Sequence, residues 1–78
     1  MRDKPFLKFI KENMFCVCCL RQPVDPHHVT SRGAGGGDEA ENVVPLCREH
    51  HVEIHTIGRD TFRKKYPSFD SWMRAAGR

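Results

Sequence analysis

The stretch NVVPLCREHHVEIH, residues 42–55, decides how this chain is read. Val43–Leu46 is a short, β-branched apolar run that predicts a strand, with Pro45 confined to an edge or non-bonded position. From about Arg48 to Ile57 the pattern becomes helical, and Gly58 is a natural C-cap. His51 and His55 are four apart, so they share one helix face with β-carbons about 5–6 Å apart, close enough to grip one ion. His50 is turned about 100° from His51, so the same helix can offer His50 to one metal and His51 with His55 to another.

Upstream, Cys16-Val17-Cys18-Cys19 supplies a C-x2-C knuckle that matches Cys47-Arg48-Glu49-His50, a C-x2-H knuckle. Three thiolates and an imidazole are a tetrahedral zinc set, and filling all four positions makes such a site structural. The length, 78 residues, gives the reason for a staple: a chain this short buries only about 60% of its unfolded surface and needs a metal or cross-links. Three cysteines crowded into residues 16–19 make a poor disulfide framework, so metal binding is the expectation. Cys18 is left over as a packed or exposed thiol. A tighter C-x-C pairing of Cys16 with Cys18 stays open, as does the reading of all four as plain buried or free thiols.

Between the knuckles lie His27 and His28, expected on a short strand over His27–Thr30. Adjacent strand residues point to opposite sides, so the two imidazoles should have different roles. The segment RGAGGGDEAEN, residues 32–42, carries most of the glycines and reads as a flexible loop joining the two strands. Metal-assisted phosphodiester cleavage needs an ion to stabilise charge on the phosphate and leaving oxygen, and a base to deprotonate water. A histidine suits that base because its ordinary pKa of about 6.5 lies near working pH. Each residue also has a plainer reading: a satisfied surface histidine pair, or a turn asparagine at Asn42.

The flanks read as helices. Residues 3–14 form an amphipathic helix with Asp3 as N-cap, Pro5 in the first turn, and Phe6, Leu7, Ile10 and Met14 on one face. Asp60 or Thr61 should cap a short helix carrying Phe62 and Tyr66, and Ser68 another that closes Phe69, Trp72 and Met73 over the core. The final AAGR is expected to fray. One domain spans residues 1–78, with no repeat or second unit. A net charge of +3 and a pI near 8.8 suit a polyanionic partner without establishing one. The N-terminus lacks the apolar core of a signal peptide and no apolar run reaches spanning length, so an intracellular protein with no membrane role is expected.

Taken together, C-x2-C, D-P-H-H, G-G and N-x-x-P-L-C-x2-H-H-x3-H, running from Cys16 to about Tyr66 (residues 16–66), resemble the HNH endonuclease superfamily, in particular its short phage and prophage type. The chain is also similar to Ref-type recombination nucleases, though without a long N-terminal arm for a recombination partner. The resemblance implies a small α+β fold: a ββα-metal (His-Me finger) core stapled by structural zinc, Cys16, Cys19, Cys47 and His50, with flanking N- and C-terminal helices. It implies His28 as the general base, Asn42 as the loop brace that orients the base, and His27, His51 and His55 as ligands of a catalytic divalent metal. An all-imidazole set favours manganese, nickel, cobalt or zinc over magnesium by softness, and Asp25 could add an oxygen. Two departures stand out: Leu20 occupies a knuckle position that is often glycine, and His50 replaces a more usual cysteine.

The implied activity is hydrolysis of DNA phosphodiester bonds, in a bacterial or phage-infected cytoplasm. Arg32, Arg48, Arg59, Arg63, Lys64 and Lys65 are the candidate phosphate contacts, which position a duplex without reading its sequence. The protein is expected to act as a monomer or dimer, with a recombination or phage complex as a further partner. Two rival classes are a non-catalytic zinc ribbon that binds nucleic acid or protein, and a redox or metal-buffering protein that uses Cys18 with Cys19.

Overall fold

A computed structural model describes residues 3–30 and 32–78, except that the side chain of Arg32 lies outside the described set. Among the described residues the elements are four α-helices, two short 3-10 turns and one two-stranded antiparallel sheet, a small α+β fold.

Helix α1, Lys4–Asn13, begins where Asp3 Oδ1 accepts the Phe6 N–H at 3.1 Å, and Pro5 sits in its first turn. This is the N-cap expected from sequence, which satisfies one orphan amide of the first turn. Ile10 is buried and Phe6 and Leu7 pack against the core, but Met14 is exposed. The chain turns extended at Met14 (φ −93°, ψ 159°), so helical spacing no longer carries that residue to the apolar face.

Strand β1 is Asp25–His28 and β2 is Val43–Leu46, paired with His27 opposite Val44 and His28 opposite Val43. β1 starts two residues before the expected His27–Thr30, because Asp25 and Pro26 join the ladder opposite Leu46 and Pro45. The carbonyl of Pro45 accepts the Val17 N–H at 3.2 Å, outside the ladder. Pro45 and its partner Pro26 therefore occupy a non-hydrogen-bonded rung, where two missing N–H groups cost the sheet nothing. Alternation along the strands puts Asp25, His27, Val44 and Leu46 on one face and Pro26, His28, Val43 and Pro45 on the other.

Helix α2, Arg48–Ile57, covers the first of those faces and buries Ile54; it ends at Gly58, whose φ of 86° suits only glycine without strain. The same glycine turns the chain straight into α3, Arg59–Lys65. That corrects the expected cap at Asp60 or Thr61. Helix α4, Pro67–Ala75, likewise starts one residue ahead of the Ser68 cap, with Pro67 at its first position, where a missing N–H is harmless. Phe62, Phe69 and Met73 from these two helices are fully buried against Leu46, Val44 and Cys16.

The C-terminal AAGR does not fray. Arg78 donates from its backbone to Met73 O at 2.9 Å, from Nε to Glu41 O at 3.1 Å, and from Nη2 to Asn42 Oδ1 at 3.0 Å. The glycine-rich loop is more ordered than its composition predicts: it contains two 3-10 turns, Arg32–Ala34 and Ala40–Asn42, and Asp38 and Asn42 within it are buried.

Candidate active site and metal centres

Two clusters of ligand atoms take residues from α2. In the first, one atom each from Cys16, Cys19, Cys47 and His50 lies within 4.8 Å of the others. Cys19 Sγ and Cys47 Sγ are 3.7 Å apart, and His50 Nδ1 is 3.5 Å from Cys16 Sγ and 3.1 Å from Cys47 Sγ. Zinc–sulfur bonds of about 2.3 Å at tetrahedral angles place sulfurs roughly 3.8 Å apart. The cluster thus fits a zinc-type ion, with His50 offering Nδ1, and the sulfur spacing is far too long for a disulfide. Cys47 caps α2 without a side-chain hydrogen bond, leaving its thiol to the cluster.

The thiols differ in acidity. Burial pushes Cys16 up, but amide donors from Cys47, Cys18 and Cys19 outweigh it and bring the thiol down to about 7. Burial and the neighbouring Cys16 push Cys18 up to about 12. Cys19 is also raised, by burial first. A bound cation would reverse this for a coordinating thiol, which it deprotonates.

In the second cluster, His27 from β1 meets His51 and His55 from α2, and again one ring nitrogen from each lies within 4.8 Å of the others. The ring centroids are 4.9–5.2 Å apart, three imidazoles around one point. Burial, then the charges of His51, His55 and His28, holds His27 down to about 4, so this imidazole stays neutral and able to ligate. His51 Nδ1 lies 3.0 Å from Asp25 Oδ2, so the Nδ1–H donates to the carboxylate and Nε2 is left for an ion. Asp25 is therefore a buttress to His51, and Arg48 pairs with the same carboxylate at 3.3 Å. The donor set fits a borderline divalent ion better than magnesium.

His28 stands outside the three-imidazole cluster, and its Nε2 lies 2.6 Å from Asp38 Oδ1. Asn42 closes the loop. Its Oδ1 accepts the Thr30 N–H at 2.8 Å, and its Nδ2 donates to Thr30 O at 3.0 Å and Gly37 O at 2.9 Å.

Across residues 1–78 the chain matches the family described as "Putative HNHc nuclease". The chain belongs to this HNHc nuclease family. Among curated proteins it is similar to YdfU of Escherichia coli (strain K12), itself described as uncharacterized, with 48% identity over 58 residues. That alignment covers 68% of this chain and 16% of YdfU, so the chain spans a small part of that relative. No solved structure matches it.

In this HNHc chain a cleft of about 650 Å³ opens beside the imidazoles, lined by His27, His28, His55, Arg59 and Thr61 among others. The cationic candidates divide around it. Arg59 lines the cleft and Arg48 stands exposed at the start of α2. Lys64 is exposed on the far side of α3, where it lines a separate groove between α3 and α4. Arg63 is tied to Asp70 and to the carbonyl of Arg78, and Lys65 to Glu53 on α2, so both serve the packing of the C-terminal helices. The side chain of Arg32 lies outside the described residues.

Sequence reasoning missed Asp38 and Arg78. Asp38 was one acid among three in a glycine-rich loop, and no spacing rule points from residue 38 back to His28. Among the described residues no helix is long and apolar enough to cross a membrane.

Proposed function

We propose that residues 1–78 act as one HNH endonuclease domain that hydrolyses DNA phosphodiester bonds, with β1, β2 and α2 as its ββα-metal core. The observation that carries this reading is the cleft shared by His27, His28, His55 and Arg59, where a ligand cluster and a separate, differently held imidazole reach one space. His28 takes a proton from the attacking water, Asn42 holds the loop that flanks it, and Arg59 with Arg48 receives phosphates along the backbone. His27, His51 and His55 would hold a divalent ion, which when bound supplies charge stabilisation at the phosphate and the leaving 3′-oxygen. Cys16, Cys19, Cys47 and His50 would hold zinc as a structural staple. Phosphate contacts of this kind give weak sequence preference and salt-sensitive binding.

The reading is tested by the products from a labelled duplex incubated with zinc-loaded protein and manganese, nickel or magnesium. It predicts metal-dependent cuts with 5′-phosphate and 3′-hydroxyl ends, lost in His51→Ala. Binding without cutting under every metal would leave a zinc-ribbon binding module instead.

A further inference from the structure

We propose that Asp38 is the positioning residue for His28: it fixes which imidazole nitrogen faces the cleft, and couples that choice to the first helix. The proposal rests on the reading of His28 as the base. The Asp38 side chain is only 2% exposed, and its two oxygens are used in different directions. Oδ1 lies 2.6 Å from His28 Nε2, and Oδ2 accepts the backbone N–H of Asp3 at the mouth of α1. A carboxylate oxygen accepts and does not donate, so the proton in the His28 bond sits on Nε2 and the lone pair on Nδ1. The bond also forbids a half-turn of the ring about Cβ–Cγ, which would swing Nδ1 away from its site.

The geometry gives the glycine-rich loop a second task. Asn42 ties the loop to Thr30 and Gly37, and the tied loop delivers Asp38 across residues 28–38 to the strand it left. The Asp3 amide then holds the carboxylate from the other side, so α1, which carries no residue of the HNH pattern, becomes part of the apparatus. A buried carboxylate is costly unless each oxygen is hydrogen-bonded, and here both are. During proton transfer Asp38 takes no proton: the water proton goes to Nδ1, and the carboxylate faces the imidazolium that results.

The test is a mutant cycle on duplex cleavage by the zinc-loaded chain, using Asp38→Ala, Asp38→Asn, His28→Ala and the double variants. Asp38→Ala should lower kcat by about 10–100-fold, a share of the roughly 10²–10⁴ a positioned base contributes, with KM changed less than about twofold. Asp38→Asn should recover part of the loss, since its oxygen can still accept from Nε2 while its amide meets the Asp3 N–H poorly. In the His28→Ala background neither change should cost anything further. In proton NMR spectra, a downfield His28 Nε2–H resonance present in the wild type should vanish in Asp38→Ala. If Asp38→Ala does not fold, the Asp38→Asn cycle carries the test. An equal loss with and without His28, or an unchanged kcat in a folded variant, overturns the proposal and marks Asp38 as a tether for α1 alone. Wild-type cutting by His28→Ala would remove the base reading, and this proposal with it, even with the Nε2–H resonance in place.

Discussion

Leu20 sits in the zinc knuckle with φ 62°, a left-handed conformation, and the residue is 74% exposed. A branched residue there meets its own carbonyl at a cost of roughly 1–2 kcal/mol, and no buried contact offsets it. Glycine removes that strain but adds about 0.5–1 kcal/mol of unfolded-chain freedom. Leu20→Gly should therefore leave stability unchanged or raise it by up to about 1 kcal/mol, read from the urea midpoint of zinc-loaded protein. A loss of more than about 1 kcal/mol would mean that Leu20 does something the knuckle geometry does not require. The same scale shows what sequence alone can reach. The four residues at 16, 19, 47 and 50 converge; short-range turns dictate each knuckle, and the fold brings the two knuckles together. The imidazoles at 51 and 55 do so by helix periodicity. Asp38 and Arg78 reach their partners only through loop closure, which no local rule encodes.

At the scale of elements, the two strands and α2 were readable because each is bounded by a strong local signal: a proline pair on a non-bonded rung, a cysteine at the helix start, and Gly58 at its end. The start of β1 and the caps of α3 and α4 were misjudged by one or two residues, because backbone pairing and a shared glycine overrode side-chain capping preferences. The glycine-rich segment links the two strands as a loop, as expected, with two 3-10 turns and buried Asp38 and Asn42 that composition did not indicate. A Cβ on Gly36 would stand 1.8 Å from Thr30 O and 2.8 Å from Asn42 Nδ2, so this glycine permits the approach that lets Asn42 brace the loop. Gly36→Ala should push the loop off Asn42, cost about 1–3 kcal/mol as overpacking does, and impair cleavage more than binding. Thermal melting and steady-state kinetics together check this. An alanine variant with wild-type stability would show that the loop can be carried another way.

For the whole molecule, eleven of the described side chains, from Ile10 to Met73, form the buried apolar core, and two of them are the ligand candidates Cys16 and Cys47. A core of that size in a chain of 78 residues leaves metal binding to contribute folding free energy directly. Stripping zinc with a strong chelator should abolish cooperative unfolding followed by circular dichroism, and adding zinc back should restore it; a cooperative melt in the stripped protein would relegate the cluster to a minor role. The proposed function is specific: one zinc-stapled chain that cuts DNA with His28 as its base. The measurement that meets it most directly is relaxation of supercoiled plasmid by zinc-loaded protein in added manganese, nickel or magnesium, beside His28→Ala. Metal-dependent nicking that drops at least ~100-fold in a folded His28→Ala variant is the predicted result, and nicking at the wild-type rate by that variant would contradict it.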